Sequence, residues 1–260
     1  MRRLLMFVLV AVLISGSTLP ILADTPAKRD AAAVAYVQTS IAALGGDAGW
    51  QQVKDSVVQA NLLPTKDSWV KPATLVWKTY GPEFRYETSR DSGTQVFVSG
   101  FGKPAVSQGD KILPLAYHVA ECAPAYHLPA ALLSRELADQ TFSIIDAGDG
   151  TLSGEPVHTV HISSSASDLE AAATLQTWYL DQITGLPLRV EYRLPDASDM
   201  ASFTDAAFDF ADYRKVNDLL IPFSLTHDES GSPLEVIAVT AADFNTGLDP
   251  SEFDLLGGGQ

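Results

Sequence analysis

The chain has 260 residues, with 17 Lys and Arg against 32 Asp and Glu, a formal net charge of −15 at pH 7 and a single cysteine. An acidic excess on this scale repels phosphate backbones and anionic head groups, which argues against nucleic acid as a partner and against adsorption to anionic membranes. One cysteine, Cys122, excludes an internal disulfide, so packing alone must hold the fold together.

The first element in chain order is a leader. Arg2 and Arg3 make a positive start, Leu4 to Ile14 an uncharged apolar run, and Ser15 to Ala23 a small-residue segment whose Ile21 and Ala23 fit a cleavage site. The competing reading is an uncleaved anchor. Leu4 to Ala23 is just long enough to span a bilayer, but Ser15, Gly16, Ser17, Thr18 and Pro20 dilute it. No cysteine follows to carry a lipid. Residues 1–23 hold two of the 17 basic residues and none of the 32 acidic ones, so the chain after Ala23 has a net charge of −17. The expected product is periplasmic or secreted, with one domain over residues 24–256 and a loose Gly-rich tail over 257–260.

A helix comes next. Thr25 is placed to cap it, Pro26 suits its first position, and Gly45-Gly46 ends it. Val34, Val37, Ile41 and Leu44 recur at three- and four-residue steps, giving one apolar stripe. Trp50 and Val53 predict a short further turn of helix after Asp47.

From Ala73 the period shifts towards two. Ala73 to Tyr80 and Glu83 to Arg90 read as strands joined at Gly81-Pro82, and Thr94 to Ser99 as a third, ending at a corner with Gly100 and Gly102. Leu113 to Leu137 then interrupts the pattern. It is rich in Ala and Leu, and Pro114, Pro124 and Pro129 leave room only for short helices. An apolar helical insertion in a β-rich chain must cover something, which makes it a candidate lid.

Strands resume at Thr141 to Ala147 and Pro156 to Ser163, around a predicted turn at Gly148-Asp149-Gly150. Leu175 to Leu180 and Pro187 to Leu194 flank Thr184-Gly185. In the latter, Leu188, Val190, Tyr192 and Leu194 alternate with Arg189, Glu191 and Arg193, the mark of a half-buried strand. Asp205 to Val216, Leu219 to His227 and Leu234 to Phe244 are joined by Asn217-Asp218 and Glu229-Ser230-Gly231, residues that tolerate positive φ in hairpins. Consecutive hairpins predict an antiparallel meander. A sheet of about eight to eleven strands curls rather than staying flat.

Phe208 and Phe210 share one strand face, and Ile221, Phe223 and Leu225 share another. Packed against the first helix and the insertion, with its Leu132 and Leu133, these faces form either a filled core or an apolar cavity. Both outcomes fit the sequence. In the second, these seven side chains are the candidate ligand-binding residues.

A resemblance bears on that choice. Ala43-Leu44-Gly45-Gly46 is followed by Trp50 and Val53. Further on come Tyr179-Leu180-Asp181, Thr184-Gly185-Leu186-Pro187 and Arg189, then Asp212-Tyr213-Arg214, Val216-Asn217 and Ile221-Pro222, leading to Asn245, Leu248-Asp249 and Phe253. This succession, densest from Tyr179 onward, resembles the periplasmic lipoprotein-carrier (LolA/LolB-like) superfamily, especially its outer-membrane lipoprotein-sorting relatives. The resemblance implies a mainly β fold with helices: an incomplete, curved antiparallel β-barrel wrapped round an N-terminal helix and a short helical lid, with a cavity for acyl chains. It also implies lipid acyl chains or a lipoprotein as partner, or, for the sensors among such domains, an envelope protein. No arginine here matches the lid-latching arginine of the carriers, and Leu113–Leu137 has no aligned counterpart.

Chemistry is sparse. His118 and Cys122 would share a helix face, with His127 beyond Pro124, a nitrogen/sulfur set in principle, but Leu115 and Val119 share that face and favour packing. His158 and His161, three apart in a strand, point to opposite faces. Asp146, Asp149 and Glu155 fail the spacing of a calcium loop. No phosphate-binding glycine loop, nucleophile elbow or zinc-protease motif is present, so no cofactor is expected. Three classes remain, in this order: a non-catalytic carrier of an apolar ligand, an envelope sensor or protein-interaction module of the same fold, and an extracytoplasmic enzyme.

Overall fold

The computed structural model describes residues 26–121, 125–196 and 198–257. The leader at 1–23, the cap Thr25, Cys122 and Pro124 in the insertion, and the last three residues of the Gly-rich tail lie outside these. Thirteen strands form one antiparallel sheet: β1 (Asp55–Pro64), β2 (Ala73–Tyr80), β3 (Glu83–Arg90), β4 (Gly93–Val98), β5 (Ala105–Gln108), β6 (Lys111–Pro114), β7 (Phe142–Leu152), β8 (Glu155–Ser164), β9 (Gln176–Asp181), β10 (Pro187–Asp196), β11 (Asp199–Val216), β12 (Leu219–Glu229) and β13 (Ser232–Phe244). Their order is β6-β5-β4-β3-β2-β1-β13-β12-β11-β10-β9-β8-β7. The sheet is curved and stops short of a barrel by one pairing. Every strand neighbours its successor in sequence except β6 and β7, which are the two edges, while β1 pairs with β13 in the middle.

The count is thirteen, against ten strands read from the sequence. The additions are β1, β5 and β6. In β1 the inward residues are Ser56, Val58, Ala60 and Leu62, and an outward Val57 and Leu63 blur the alternation. The β7 boundary also differs. Gly148-Asp149-Gly150 is not a turn but runs on within β7, where a register shift between Asp146 and Gly148 absorbs the extra residue. The chain reverses instead at Ser153-Gly154, both at positive φ.

Among the described residues five α-helices accompany the sheet: α1 (Ala31–Ala43), α2 (Asp47–Trp50), α3 (Tyr117–Glu121), α4 (Pro129–Ala138) and α5 (Asp168–Ala173). The first begins five residues after Pro26. Lys28 and Asp30 spend their backbone groups on the β7 edge, Ile144 N–H donating to Lys28 O at 2.8 Å and Asp30 N–H donating to Ile144 O at 2.9 Å. This short bridge covers part of an edge strand that would otherwise offer free hydrogen-bonding groups. Of the predicted stripe, Val37, Ile41 and Leu44 are buried and Val34 is half-buried; with Ala33 they share one core with Tyr126, Leu128, Leu132 and Leu133 of the insertion and the inward faces of the strands.

Buried aspartates hold the Thr184-Gly185 turn read from the sequence and a second, long-range junction. Asp181 accepts from Ile183 N–H, Thr184 N–H and Thr184 Oγ1 at 2.6–3.0 Å. Asp55 accepts from Thr246 N–H, Thr246 Oγ1 and Gly247 N–H, tying the start of β1 to the segment after β13. Burial opposes ionisation of both carboxyls, yet these donors outweigh it and hold each pKa below the ordinary value. Beyond that segment, Phe253 is fully buried and its carbonyl lies over Gly100. A Cβ at residue 100 would stand 2.0 Å from Phe253 O. Gly100→Ala is therefore expected to lose about 1–3 kcal/mol by overpacking, measured by urea denaturation; an unchanged midpoint would show that the 250–253 segment is not seated there.

Candidate functional site

The connection from β6 to β7 must travel from one sheet edge to the other, and it does so through α3 and α4. Arg29 fastens its far end: the guanidinium donates to Leu137 O (2.5 Å), Asp139 O (2.8 Å) and Phe142 O (3.3 Å), satisfying carbonyls at the α4 C-terminus. At its near end His118 Nε2 lies 2.9 Å from Asp196 O of β10. Between them Tyr126 and His127 insert into the sheet's concavity.

A hollow of about 360 Å³ remains between this lid and the sheet. Trp77, Phe84, Tyr86 and Phe97 of β2 to β4 form one wall; Tyr192, Leu194 and Phe208 of β10 and β11 form the opposite one. Val119, Tyr126 and His127 close it from the lid side, and His227, Glu229, Glu235 and Ile237 of β12 and β13 supply the floor. The rings interlock. His127 stacks on Trp77 at 4.5 Å between centroids, Tyr126 on Tyr192 at 4.3 Å, and Phe208 on His227 at 4.9 Å.

Strand register explains this gathering. Phe97 pairs with Tyr86 and Tyr86 with Trp77, which puts three aromatic residues in one cross-strand row. A second row runs Val190, Phe208, His227, Glu235. Glu235 reaches that row only because the β12–β13 register shifts between His227 and Asp228. Asp228 faces Pro233, which has no N–H for the ladder. Without the shift His227 would face Leu234.

The floor is polar in a way the walls are not. His227 Nδ1 lies 2.9 Å from Glu235 Oε1. Glu235 Oε2, His227 Nε2 and His127 Nε2 are buried with no hydrogen-bond partner among the described residues. Burial drives the His127 pKa down to about 3, so its ring is neutral near pH 7. Burial, then the negative charges of Glu229 and Glu235, push the Tyr192 hydroxyl well above its usual value.

The candidate residues from the sequence are distributed unevenly. Phe208 lines the hollow. Phe210, Ile221, Leu225, Leu132 and Leu133 are no more than 5% exposed and belong to the packed core. Phe223 is half-buried elsewhere, with the Arg214 guanidinium 4.6 Å above its ring. The packed core thus takes most of those side chains. Trp77, Tyr86, Tyr126, Tyr192, His227 and Glu235 carry no signal for the site in the sequence, though Tyr192 stands on the cleanest alternating strand; His127 figures there only in the nitrogen/sulfur set. His118 and His127 do not converge: one bonds Asp196 O and the other stacks on Trp77. His158 stacks on Tyr36 at 3.7 Å and bonds Asp149 at 2.6 Å. No group of three His, Cys, Asp or Glu suited to a metal occurs among the described residues. Nor is any described helix long and apolar enough to cross a membrane.

Glu136 of α4 anchors the lid to the sheet. Gln176 Nε2 donates to Glu136 Oε1 at 2.6 Å, and Trp178 Nε1 donates to Gln176 Oε1 at 2.9 Å. Glu136 is 2% exposed and its Oε2 has no partner among the described residues. Burial pushes its pKa up to about 7, against the smaller opposing effects of Gln176 and Arg135.

Known structures share this architecture. No family model matches the sequence, and no curated protein matches it. A LolA superfamily protein from Nitrosomonas europaea superposes with a TM-score of 0.57 at 8% identity, over 85% of this chain and 97% of that one. A domain named for outer membrane lipoprotein sorting, from Vibrio parahaemolyticus, gives 0.55 at 13% identity, over 85% and 95%. A DUF1329 family protein from Desulfovibrio piger gives 0.51 at 11% identity, over 85% and 96%. The fold is LolA-like, as the sequence resemblance implied.

The Glu136 anchor carries a pH signature. Because its folded pKa lies above the ordinary 4.5, its contribution to stability is complete below about pH 4.5 and is lost as pH rises to about 7. Glu136→Gln keeps the acceptor for Gln176 and removes the ionisable group. It is expected to flatten that fall, gaining on the order of 2 kcal/mol at pH 7.5 relative to pH 4.5. Urea denaturation of both proteins at the two pH values decides it; an equal difference at both would refute the assignment.

Proposed function

We propose that this is an exported, non-catalytic binding protein that holds an apolar chain, an acyl or lipid ligand, in the hollow beneath its lid. The observation that carries the reading is the hollow itself. Its volume of about 360 Å³ falls within the range of roughly 300–1,000 Å³ usual for small-ligand sites, and its walls are aromatic. Each methylene buried there would contribute about 0.8 kcal/mol, enough for a medium-length chain to bind without charged contacts. The LolA-like fold supports the reading, since one of the similar structures is named for lipoprotein sorting. Export rests on the leader pattern of residues 1–23.

Two experiments test it. The exported protein should have an intact mass starting near Asp24; a product keeping Met1 to Ala23 in the membrane fraction overturns export. For binding, the ligand is a fluorescent long-chain alcohol, whose neutral head isolates the contribution of the chain. Wild type should bind it saturably. Phe208→Asp should weaken binding at least tenfold with an unchanged circular dichroism spectrum, because a carboxylate on the wall must be desolvated when the chain enters. Phe223→Asp, outside the hollow, should leave the affinity unchanged. No saturable binding by wild type would overturn the carrier reading in favour of a protein-interaction module.

A further inference from the structure

The proposed chain-binding site has a floor that says which head group it takes. The hollow is lined by two carboxylates, Glu229 and Glu235, and among the described residues by no lysine or arginine. Buried polar atoms in folded proteins are nearly always hydrogen-bonded, so each exception calls for a reason. Here three exceptions occur on residues lining one hollow: Glu235 Oε2, His227 Nε2 and His127 Nε2. Glu235 is 7% exposed and His127 4%.

The missing partner is a donor. An ionised Glu235 only accepts. In the tautomer that donates from Nδ1 to Glu235 Oε1, His227 presents a lone pair at Nε2, and a neutral His127 can present one at its own Nε2. The aromatic side chains of Trp77, Tyr86, Tyr192 and Phe208 line the same hollow, and aromatic rings are favourable neighbours for a cation. An anionic head, carboxylate or phosphate, would meet two like charges and no counter-charge. A protonated amine brings three N–H donors and a positive charge. We propose that the hollow selects an amphiphile whose apolar chain ends in a protonated amine, with Glu235 as the principal partner of the ammonium and Glu229 as a second.

This inference rests on the hollow being a chain-binding site, and its test separates the two. Mature full-length protein is titrated calorimetrically at pH 7, below micelle formation, with dodecylammonium, dodecanol and dodecanoate. Dodecylammonium should bind at least tenfold tighter than dodecanol, and dodecanoate weakest. Glu235→Gln should cut the ratio of dodecylammonium to dodecanol affinity at least fivefold, and Glu229→Gln should cut it less. Asp218→Asn, at a fully exposed carboxylate of the β11–β12 turn, controls for general attraction of a cation to an acidic protein and should change nothing. If dodecanol binds but ammonium shows no preference, or if Asp218→Asn reduces it as much as Glu235→Gln, the head-group assignment is overturned and the chain site stands. If none of the three binds, both fall.

Discussion

The pairing of β1 with β13 governs this fold. Strands β1 to β6 and β7 to β13 are two meanders, each of which could lie down as a separate sheet. Joining the first strand to the last, Ser56 to Pro64 against Phe244 to Glu235, makes them one. That pairing leaves β6 and β7 as the two edges, though they are neighbours in sequence. Their connection has to cross the open face, so the lid is a requirement of the topology. Because the sheet curves, the crossing segment enters a concavity and must match it. Tyr126, Leu128, Leu132 and Leu133 do so as core, and the space they leave is the hollow.

Polar groups in that hollow are expensive. A filled apolar core would have avoided the burial of His227 and Glu235, and β13 did not need to place a carboxylate there. It does so through a register shift beside Pro233, a local irregularity that aims one side chain. Elsewhere Asp55 and Asp181 are saturated, while Glu136 of α4 keeps one oxygen without a partner among the described residues. Asp181 collects three donors from its own turn, and Asp55 collects three from Thr246 and Gly247 after β13. Of the two unsatisfied carboxylates, Glu136 is tied to Gln176 in the packed interior and Glu235 lines the hollow, where a ligand can reach it.

Much of the frame was legible in the sequence. The alternation of Leu188 to Leu194 places β10, and Asp181 with Thr184-Gly185 marks the turn before it, because both signals are local. Ser230-Gly231 likewise gives a hairpin whose residues both adopt positive φ. Signals failed where the outcome depended on distant neighbours. Pro26 suits a helix start, but Lys28 to Asp30 are drawn into the β7 edge by Ile144. Gly148-Asp149-Gly150 has the composition of a turn, but long pairing with β8 carries it on as strand. The site was least legible of all. Phe208, Phe210, Ile221, Phe223 and Leu225 were grouped by strand faces, yet curvature decides which part of a face meets core and which meets the hollow. His227 and Glu235 face each other only through a bulge that no spacing rule announces.

The same central pairing sets an order of events in folding. The hydrogen bond from Thr240 Oγ1 to Gln59 O closes a loop spanning 181 residues. Hairpins within each meander can form early, because their partners are adjacent in the chain. The β1–β13 seam pays a large closure entropy before it is rewarded, and it forms only once nearly the whole chain is present. Until then β1 exposes an unpaired edge, and the concavity has no middle. A chain emerging from its N-terminus thus stays short of its native state until its last strand arrives, which is the condition a polypeptide needs if it is to be threaded through a narrow channel before it folds.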